Sequence, residues 1–322
     1  MDKIPLVSVV IPMRNEEKNA ARCLVSLKNQ DFTNMEIIVV DDGSIDNTSK
    51  ISLQYADKVI TTERKGISFA KNTGIRNAKG DYVVFTDADC VPEKDWLVEL
   101  LKGFCEERIV SVGGPNLNTL TCNILSESID RIFYFLSKLG FRYGVCSGSS
   151  RFVEHNPGCN VIYKKSIFQK VGLFNENLVT SEDEEMDCRI IKNGYKIYYM
   201  SGAKVRHFRR DSSVSFLRQL YRYAVGKMQF IRRHPDKIRI LFFVPSLSLI
   251  VFFGLIILAY FIYPARFYLK TFLIISFIAV LGADYYISAC RSVRIFFYVL
   301  ILLPLGFLAC GIGFISGIFK KA

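Results

Sequence analysis

The chain has no C-x-x-C pair. Its nine cysteines (positions 23, 90, 105, 122, 146, 159, 188, 290 and 310) are odd in number and scattered. Neither a metal-binding spacing nor a disulfide framework is written in them, which fits reduced cytosolic thiols serving mostly as small buried apolar groups. Nor does the start of the sequence look like a secretory leader. The opening MDKIPLVSVVIPMRN offers only a short apolar run behind an acidic second residue, so the first 200 residues are expected to stay on the side of the membrane where they are made. No internal repeat or low-complexity tract is visible, which argues against a solenoid or a disordered tail.

Apolar residues are plentiful: half of the 322 residues, unevenly placed. From Ile240 the chain reads ILFFVPSLSLIVFFGLIILAYFI without a charge, and two further apolar stretches follow. Segments at 240–262, 267–289 and 295–319 are each long enough to cross about 30 Å of hydrocarbon as a helix. The second carries Lys270 near one end and Asp284 near the other, so a tilted or re-entrant segment is an alternative there. Between Ser201 and Arg239, eleven Lys or Arg stand against Asp211 and Asp236, leaving a net +9. Directly before a membrane span, such a run suits anionic lipid headgroups better than nucleic acid, and by the positive-inside rule it puts the N-terminal domain in the cytoplasm of a multi-pass plasma-membrane protein. Three regions are expected: 1–210, a basic amphipathic interfacial stretch at 211–239, and the membrane region at 240–319.

The first half alternates apolar strand-like runs (LVSVVI, EIIVV, KVITT, DYVVFT) with helical stretches beginning near Glu16, Asp46 and Ile67. Continuously apolar strands separated by helices indicate an α/β fold with a mostly parallel, Rossmann-like sheet covered on both faces. Beyond residue 93 the pattern is less regular: helices over EKDWLVELLKGFCEE, CNILSESIDRIFYFLSKLG and from Glu182, strands at IVSVGG, GCNVIYKK, KIYYM and AKVRH, and a Gly/Ser-rich loop from Gly140 to Pro157 that suits a lid or acceptor-side loop.

Ligands of such sheets bind beyond the carboxyl ends of the strands. Three strands end there in PMRNEE, DDGSIDNT and DADC. Asp87 and Asp89, two apart at a strand end, are expected to point to one side with Cα atoms about 6.5 Å apart; with diphosphate oxygens they make a Mg²⁺ or Mn²⁺ environment. Asp41 or Asp42 can accept from a base N–H or a ribose hydroxyl, Gly43 lets the backbone come close, and Lys71 is positioned to reach a phosphate or base edge. Each has a bland alternative as a turn residue or a solvated lysine.

Taken in order, VSVVIPMRNEE, IIVVDDGSIDNT, GISFAKNTGIRNAKGDYVVFTDAD and GCNVIYKKSIFQKVGLFNENLVTSEDEEMDCRIIKNGYKIYYMSGAKVRH resemble the inverting family 2 glycosyltransferases with the GT-A (nucleotide-diphospho-sugar transferase) fold, over residues 6 to 223. The resemblance implies that Pro12, Arg14 and Glu16 line the base pocket with Asp41 and Asp42, and that Lys71 stands where an arginine is common. It implies that Asp87 contacts the ribose or the metal shell, that Asp89 and His207 hold the metal, and that Asp183, preceded by Glu182, is the catalytic base. Asn160 and Arg189 fall on the acceptor or diphosphate side. Gln219, Arg222 and Tyr223 resemble the Q-x-x-R-W of processive synthases, with Tyr in place of Trp; a plain basic amphipathic helix is the alternative.

The implied reaction is a single displacement. Asp183 takes the proton of an acceptor hydroxyl as that oxygen attacks the anomeric carbon, and cationic groups stabilise the departing nucleoside diphosphate. A phosphate monoester acceptor brings an ionised oxygen and has little need of a base, so the Glu182-Asp183 pair favours a hydroxyl on a lipid-linked or membrane-held glycan. Alternatives are a polyprenyl-phosphate sugar synthase, a short-chain processive synthase, and a catalytically silent domain that binds a glycan or partner. A nucleotidyltransferase fits less well, because MRNEE follows the first strand where such enzymes carry a glycine-rich basic loop.

Overall fold

A computed structural model of the chain describes residues 4–118, 123–138, 148–208, 212–288 and 293–321. The chain divides into two compact units that are not contiguous in sequence. The first comprises Met1–Thr119, Arg142–Glu176 and Glu182–Phe208; the second comprises Leu120–Phe141, Asn177–Ser181 and Arg209–Ala322.

The first unit holds all eleven described strands: β1 (Val7–Met13), β2 (Met35–Asp41), β3 (Lys58–Thr61), β4 (Tyr82–Thr86), β5 (Cys90–Pro92), β6 (Ile109–Gly113), β7 (Asn116–Asn118), β8 (Arg151–Val153), β9 (Asn160–Lys164), β10 (Lys196–Tyr199) and β11 (Val205–His207). Eight form one sheet in the order β3-β2-β1-β4-β9-β6-β10-β8, and β5-β11-β7 form a second. The α/β GT-A-like architecture is as expected, but the large sheet is mixed. Its β3-β2-β1-β4 half is parallel, built from strands joined by the helices α1 (Glu17–Lys28), α2 (Thr48–Ser52) and α3 (Ile67–Asn77). β9 then runs antiparallel to both β4 and β6. Beyond β4 strict strand–helix alternation ends, and with it the crossover that forces neighbours to be parallel.

Alternation along the strands fills two cores. Val9, Ile11, Ile37, Val39 and Val84 face one side with Ala20, Leu24 and Leu27 of α1. Val10, Ile38, Val40, Val83 and Phe85 face the other with Ala70 and Ile75 of α3. Each fully buried Val, Leu or Ile side chain contributes about 1.5–3 kcal/mol. The helix α3 comes so close to β1 that a Cβ on Gly74 would sit 2.2 Å from Val10 Cγ1. α4 (Trp96–Lys102) is shorter than the expected helix and anchored by the fully buried Trp96.

The second unit contains α5 (Ile124–Lys138) and, after α6 (Ile167–Val171) and α7 (Glu182–Lys192) of the first unit, α8 (Ser213–Arg233), α9 (Val244–Phe261), α10 (Ala265–Ser288) and α11 (Val293–Phe319). Three stretches, Ile240–Phe261, Ala265–Ile287 and Val293–Phe319, are long and apolar enough to cross a membrane. Such large exposed apolar faces, with Ile250, Phe253 and Ile257 outward on α9, are those of lipid-facing helices. The second stretch is one continuous helix, and its Asp284 is fully buried. The apolar face of α8 is covered by α11, where glycines admit it: a Cβ on Gly313 would meet Tyr221 O at 2.4 Å and one on Gly317 would meet Met228 Cβ at 2.7 Å. Small residues at such a seam let helix backbones approach. Of the expected Gly/Ser-rich loop, residues 139–147 lie outside the described residues, and Arg151–Val153 forms β8 on the edge of the sheet. Arg209, Arg210 and Asp211 of the basic stretch also lie outside them.

Candidate active site

The rim at the carboxyl ends of β1, β2 and β4 gathers most of the residues singled out above. β4 stops at Thr86, and Asp87–Asp89 is a tight turn closed by Cys90 N–H donating to Asp87 O at 3.0 Å. The two carboxylates therefore converge through a turn and not, as expected, by projecting from one face of a strand. His207 joins them from the end of β11, with Nε2 3.3 Å from Asp89 Oδ1. One ligand atom from each of Asp87, Asp89 and His207 lies within 4.8 Å of the others. Burial and the neighbouring Asp89 push Asp87 up to about 6, against the pull of Lys71 and His207. Two crowded carboxylates beside an imidazole nitrogen are short of positive charge, and this oxygen-rich set fits a hard divalent ion.

Asp183 and Glu182 open α7. Asp183 Oδ2 accepts from Gly158 N–H and Oδ1 from Glu184 N–H, both at 2.8 Å. Burial works against its charge, yet the His155 and Lys71 cations and these two N–H groups together hold it below the usual carboxylate range. It is thus held as the carboxylate. Glu182 forms a buried ion pair with Lys71, 2.7 Å from Oε1 to Nζ. Burial disfavours the Lys71 ammonium, but Glu182, Asp183 and Asp87 raise its pKa overall. Lys71, expected at a phosphate or base edge, is therefore a buried cation within the fields of both Asp87 and Asp183.

At the ends of β1 and β2, Pro12 is buried in β1. The β1–β4 pairing ends at Val10, so the missing N–H of Pro12 falls where one neighbour is already gone. Arg14 follows, half-buried, with Nε shielded from solvent and unbonded. Glu16 turns its carboxylate back to Asn19 Nδ2 at 2.8 Å while its N–H donates to Thr48 Oγ1 at 2.7 Å. Asp41 accepts from Ser44 N–H at 2.9 Å. Asp42 accepts from Lys65 N–H and Gly66 N–H, each at 2.8 Å, and from Thr62 Oγ1 at 3.1 Å, so it shapes the loop after β3. Gly43 has φ +71, a conformation glycine adopts without strain.

Asn160 and Arg189 depart from their expected places. The Asn160 amide is spent in the core: it accepts from Trp96 Nε1 at 2.8 Å and donates to Pro115 O and Ala203 O at 3.1 and 2.9 Å. Arg189 bonds Glu185 and the carbonyls of Val171, Gly172 and Leu173, closing the end of α6. Gln219, Arg222 and Tyr223 are on α8 in the second unit, where Gln219 Nε2 donates to Tyr223 OH at 2.8 Å and Arg222 O accepts from Thr180 Oγ1 at 3.0 Å.

The profile of Glycosyl transferase family 2 matches residues 8–172, just over half of the chain. The chain belongs to that family. Within it, the glycosyltransferase is 29% identical over 278 residues to the dolichyl N-acetyl-alpha-D-glucosaminyl phosphate 3-beta-D-2,3-diacetamido-2,3-dideoxy-beta-D-glucuronosyltransferase of Methanococcus voltae, covering 79% of this chain and 84% of the relative. It is also 29% identical over 242 residues to the pre-mycofactocin glycosyltransferase of Mycobacterium tuberculosis, covering 72% of this chain but only 48% of that longer protein. Among solved structures, the mannosyltransferase PcManGT of Pyrobaculum calidifontis, in complex with GDP-Man and Mn²⁺, matches with a TM-score of 0.62 at 18% identity, over all of this chain and 89% of that one. At that identity the likeness establishes the fold.

Sequence reasoning missed one buried pair beside Asp183. His155 Nδ1 lies 2.9 Å from Asp187 Oδ2, and Asp187 is fully buried, accepting also from Asn156 N–H at 3.1 Å. Burial disfavours the imidazolium, but Asp187 and Asp183 raise His155 to about 9. The signal available was the position of Asp187 four residues after Asp183, one helical turn along the same face.

Proposed function

We propose that this family 2 enzyme transfers a sugar from a nucleotide-diphospho-sugar to a hydroxyl of a lipid-linked or membrane-associated glycan, with inversion at the anomeric carbon. The observation that carries the reading is the convergence of two constellations: Asp87, Asp89 and His207 within 4.8 Å, and Asp183 held by two backbone N–H groups, with Lys71 in the electrostatic field of both.

In this reading Asp87, Asp89 and His207 hold Mg²⁺ or Mn²⁺, which, when bound, neutralises charge growing on the leaving diphosphate. Asp89 and His207 serve as direct ligands, and Asp87 as a ligand or ribose contact. Arg14, with a buried N–H lacking an acceptor, gains one from the nucleotide; leaving such a donor unpaired costs about 1–3 kcal/mol. Asp41, Asp42 and Gly43 shape the wall against base and ribose, with Pro12 and Glu16 opposite. Asp183 receives the acceptor proton. Its carboxylate is oriented by Gly158 and Glu184 and kept ionised beside Lys71, whose charge Glu182 balances. The Methanococcus voltae relative, by its name a transferase acting on a dolichyl-linked sugar phosphate, supports a lipid-linked hydroxyl. The PcManGT complex with GDP-Man and Mn²⁺ supports a divalent ion. The apolar helices and the basic stretch before them support a multi-pass plasma-membrane protein with the catalytic domain cytoplasmic.

The test is to mix the detergent-purified full chain with Mn²⁺, a panel of labelled nucleotide-sugars, and either bare polyprenyl phosphate or a lipid-linked saccharide. Product on the saccharide supports the reading. Product only on the bare phosphate overturns the hydroxyl acceptor and makes the chain a polyprenyl-phosphate sugar synthase.

A further inference from the structure

Two thiols beside the carboxylate turn take no part in the chemistry above. Cys90 opens β5, directly opposite His207 of β11 in the antiparallel register. Cys159 lies in the turn that leads into β9. Both are free cysteines, Cys90 fully buried. The two Sγ atoms and a ring nitrogen of His207 lie within 4.8 Å of one another. Asp89 Oδ1 adjoins the group, 3.9 Å from Cys90 Sγ and 3.3 Å from His207 Nε2. Asn116 Nδ2 donates to Cys159 Sγ at 3.0 Å, a contact that favours a thiolate more than a thiol and is the kind of outer-shell bond that orients metal ligands.

The two donor sets differ in softness. Asp87, Asp89 and His207 offer two carboxylates and an imidazole, which suit Mg²⁺ or Mn²⁺; Cys90, Cys159 and His207 offer two sulfurs and an imidazole, which suit Zn²⁺, with Asp89 in reach as a fourth ligand. Zn–S bonds of about 2.3 Å and Zn–N bonds of about 2.0 Å require these atoms to close in by only a fraction of their present separations. One imidazole serves both sets, so both cannot be filled with His207 as ligand at the same time.

We propose that Cys90, Cys159 and His207 form a second, soft-metal site for Zn²⁺ that shares His207 with the hard-metal site, so that Zn²⁺ on the thiols inhibits transfer by withdrawing His207 and crowding Asp89. Each thiol releases its proton to solvent as its S–Zn bond forms, and nothing is oxidised or reduced. The inhibitory half rests on the function proposed above; the thiolate site itself does not. The arrangement is absent from the linear sequence because its three ligands come from β5, the turn before β9 and β11, with none of the short spacings that mark zinc ribbons.

The experiment uses the full chain in detergent, reduced and stripped of metal, and reads Co²⁺ as a spectroscopic stand-in for Zn²⁺. One equivalent of Co²⁺ is expected to give near-ultraviolet thiolate-to-metal charge-transfer absorption with intense tetrahedral d–d bands, erased by one equivalent of Zn²⁺. Cys159→Ser, at the less buried thiol, should remove most of that absorption, and Asn116→Ala should weaken Zn²⁺ binding about 10-fold or more. Cys90→Ser serves as a second ligand variant if Cys159→Ser fails to fold. Weak octahedral bands without charge transfer, or bands that survive in both cysteine variants, overturn the site. In the second arm, Zn²⁺ should suppress Mn²⁺-supported transfer by wild type and leave Cys159→Ser turning over. Equal inhibition of both proteins overturns the coupling. Absence of transfer with every donor defeats the function proposed above, while the Co²⁺ spectrum still decides the thiolate site.

Discussion

Replacing Gly158 by alanine tests how tightly the base is held. Gly158 has an ordinary backbone conformation, so alanine brings no φ strain, and the effect is purely one of space. The new Cβ would stand 2.8 Å from Asp183 Oδ2 and 2.9 Å from Lys71 Nζ. Neither neighbour can swing away freely. Asp183 is fixed by the N–H groups of Gly158 and Glu184, and Lys71 by its buried pair with Glu182. Relieving the overlap means moving the carboxylate by several tenths of an ångström and weakening a charge-assisted bond worth about 1.5–3 kcal/mol. A displacement near 1 Å in a reacting group costs on the order of 100-fold in rate. Steady-state assays should therefore show kcat down by about 5- to 30-fold, with nucleotide-sugar and Mn²⁺ affinity, measured by calorimetry, unchanged. If Gly158→Ala turns over within about threefold of wild type, Asp183 is not positioned by this contact and the reasoning fails.

Other perturbations separate stability from catalysis. Lys71→Met strands Glu182 in the interior and should destabilise the first unit by about 3–5 kcal/mol, whereas Lys71→Met with Glu182→Leu should recover most of that loss; denaturant unfolding of wild type, both single variants and the double variant measures the difference, and additive effects would contradict the pairing. His155, raised to about 9 from an ordinary 6.5 by Asp187 and Asp183, stabilises the fold when protonated. That contribution is complete below pH 6.5 and is lost as pH rises through about 9, a change of about 3 kcal/mol. Unfolding of wild type at pH 6 and pH 10 should show it, and His155→Gln should flatten the difference.

The parallel half of the sheet was legible because β1, β2 and β4 are unbroken apolar runs with stretches of helical periodicity between them. The rim was legible for the same reason: strand ends place Asp41, Asp42, Asp87 and Asp89 on one edge. What the sequence hid was pairing at long range. Lys71 and Glu182 are 111 positions apart, and His155 and Asp187 are 32 apart; no local pattern links them. Local capping misled in smaller ways. The helix expected from Asp46 begins at Thr48, because Asp46 accepts from the Thr48 N–H and hydroxyl at 3.0 and 2.5 Å and forms a turn first. Asn160, which the resemblance puts on the acceptor or diphosphate side, has its amide bonded to Trp96, Pro115 and Ala203, partners that only the folded sheet brings together.

Asp183→Asn in the full chain bears most directly on the central claim. Asparagine keeps the size of the side chain, and its one carbonyl oxygen can still accept from either the Gly158 or the Glu184 N–H, but it cannot take a proton. Transfer to a lipid-linked saccharide should fall by about 100- to 10,000-fold, while nucleotide-sugar and Mn²⁺ binding stay within a few-fold of wild type. Turnover at the wild-type rate would contradict the assignment of Asp183 as the base.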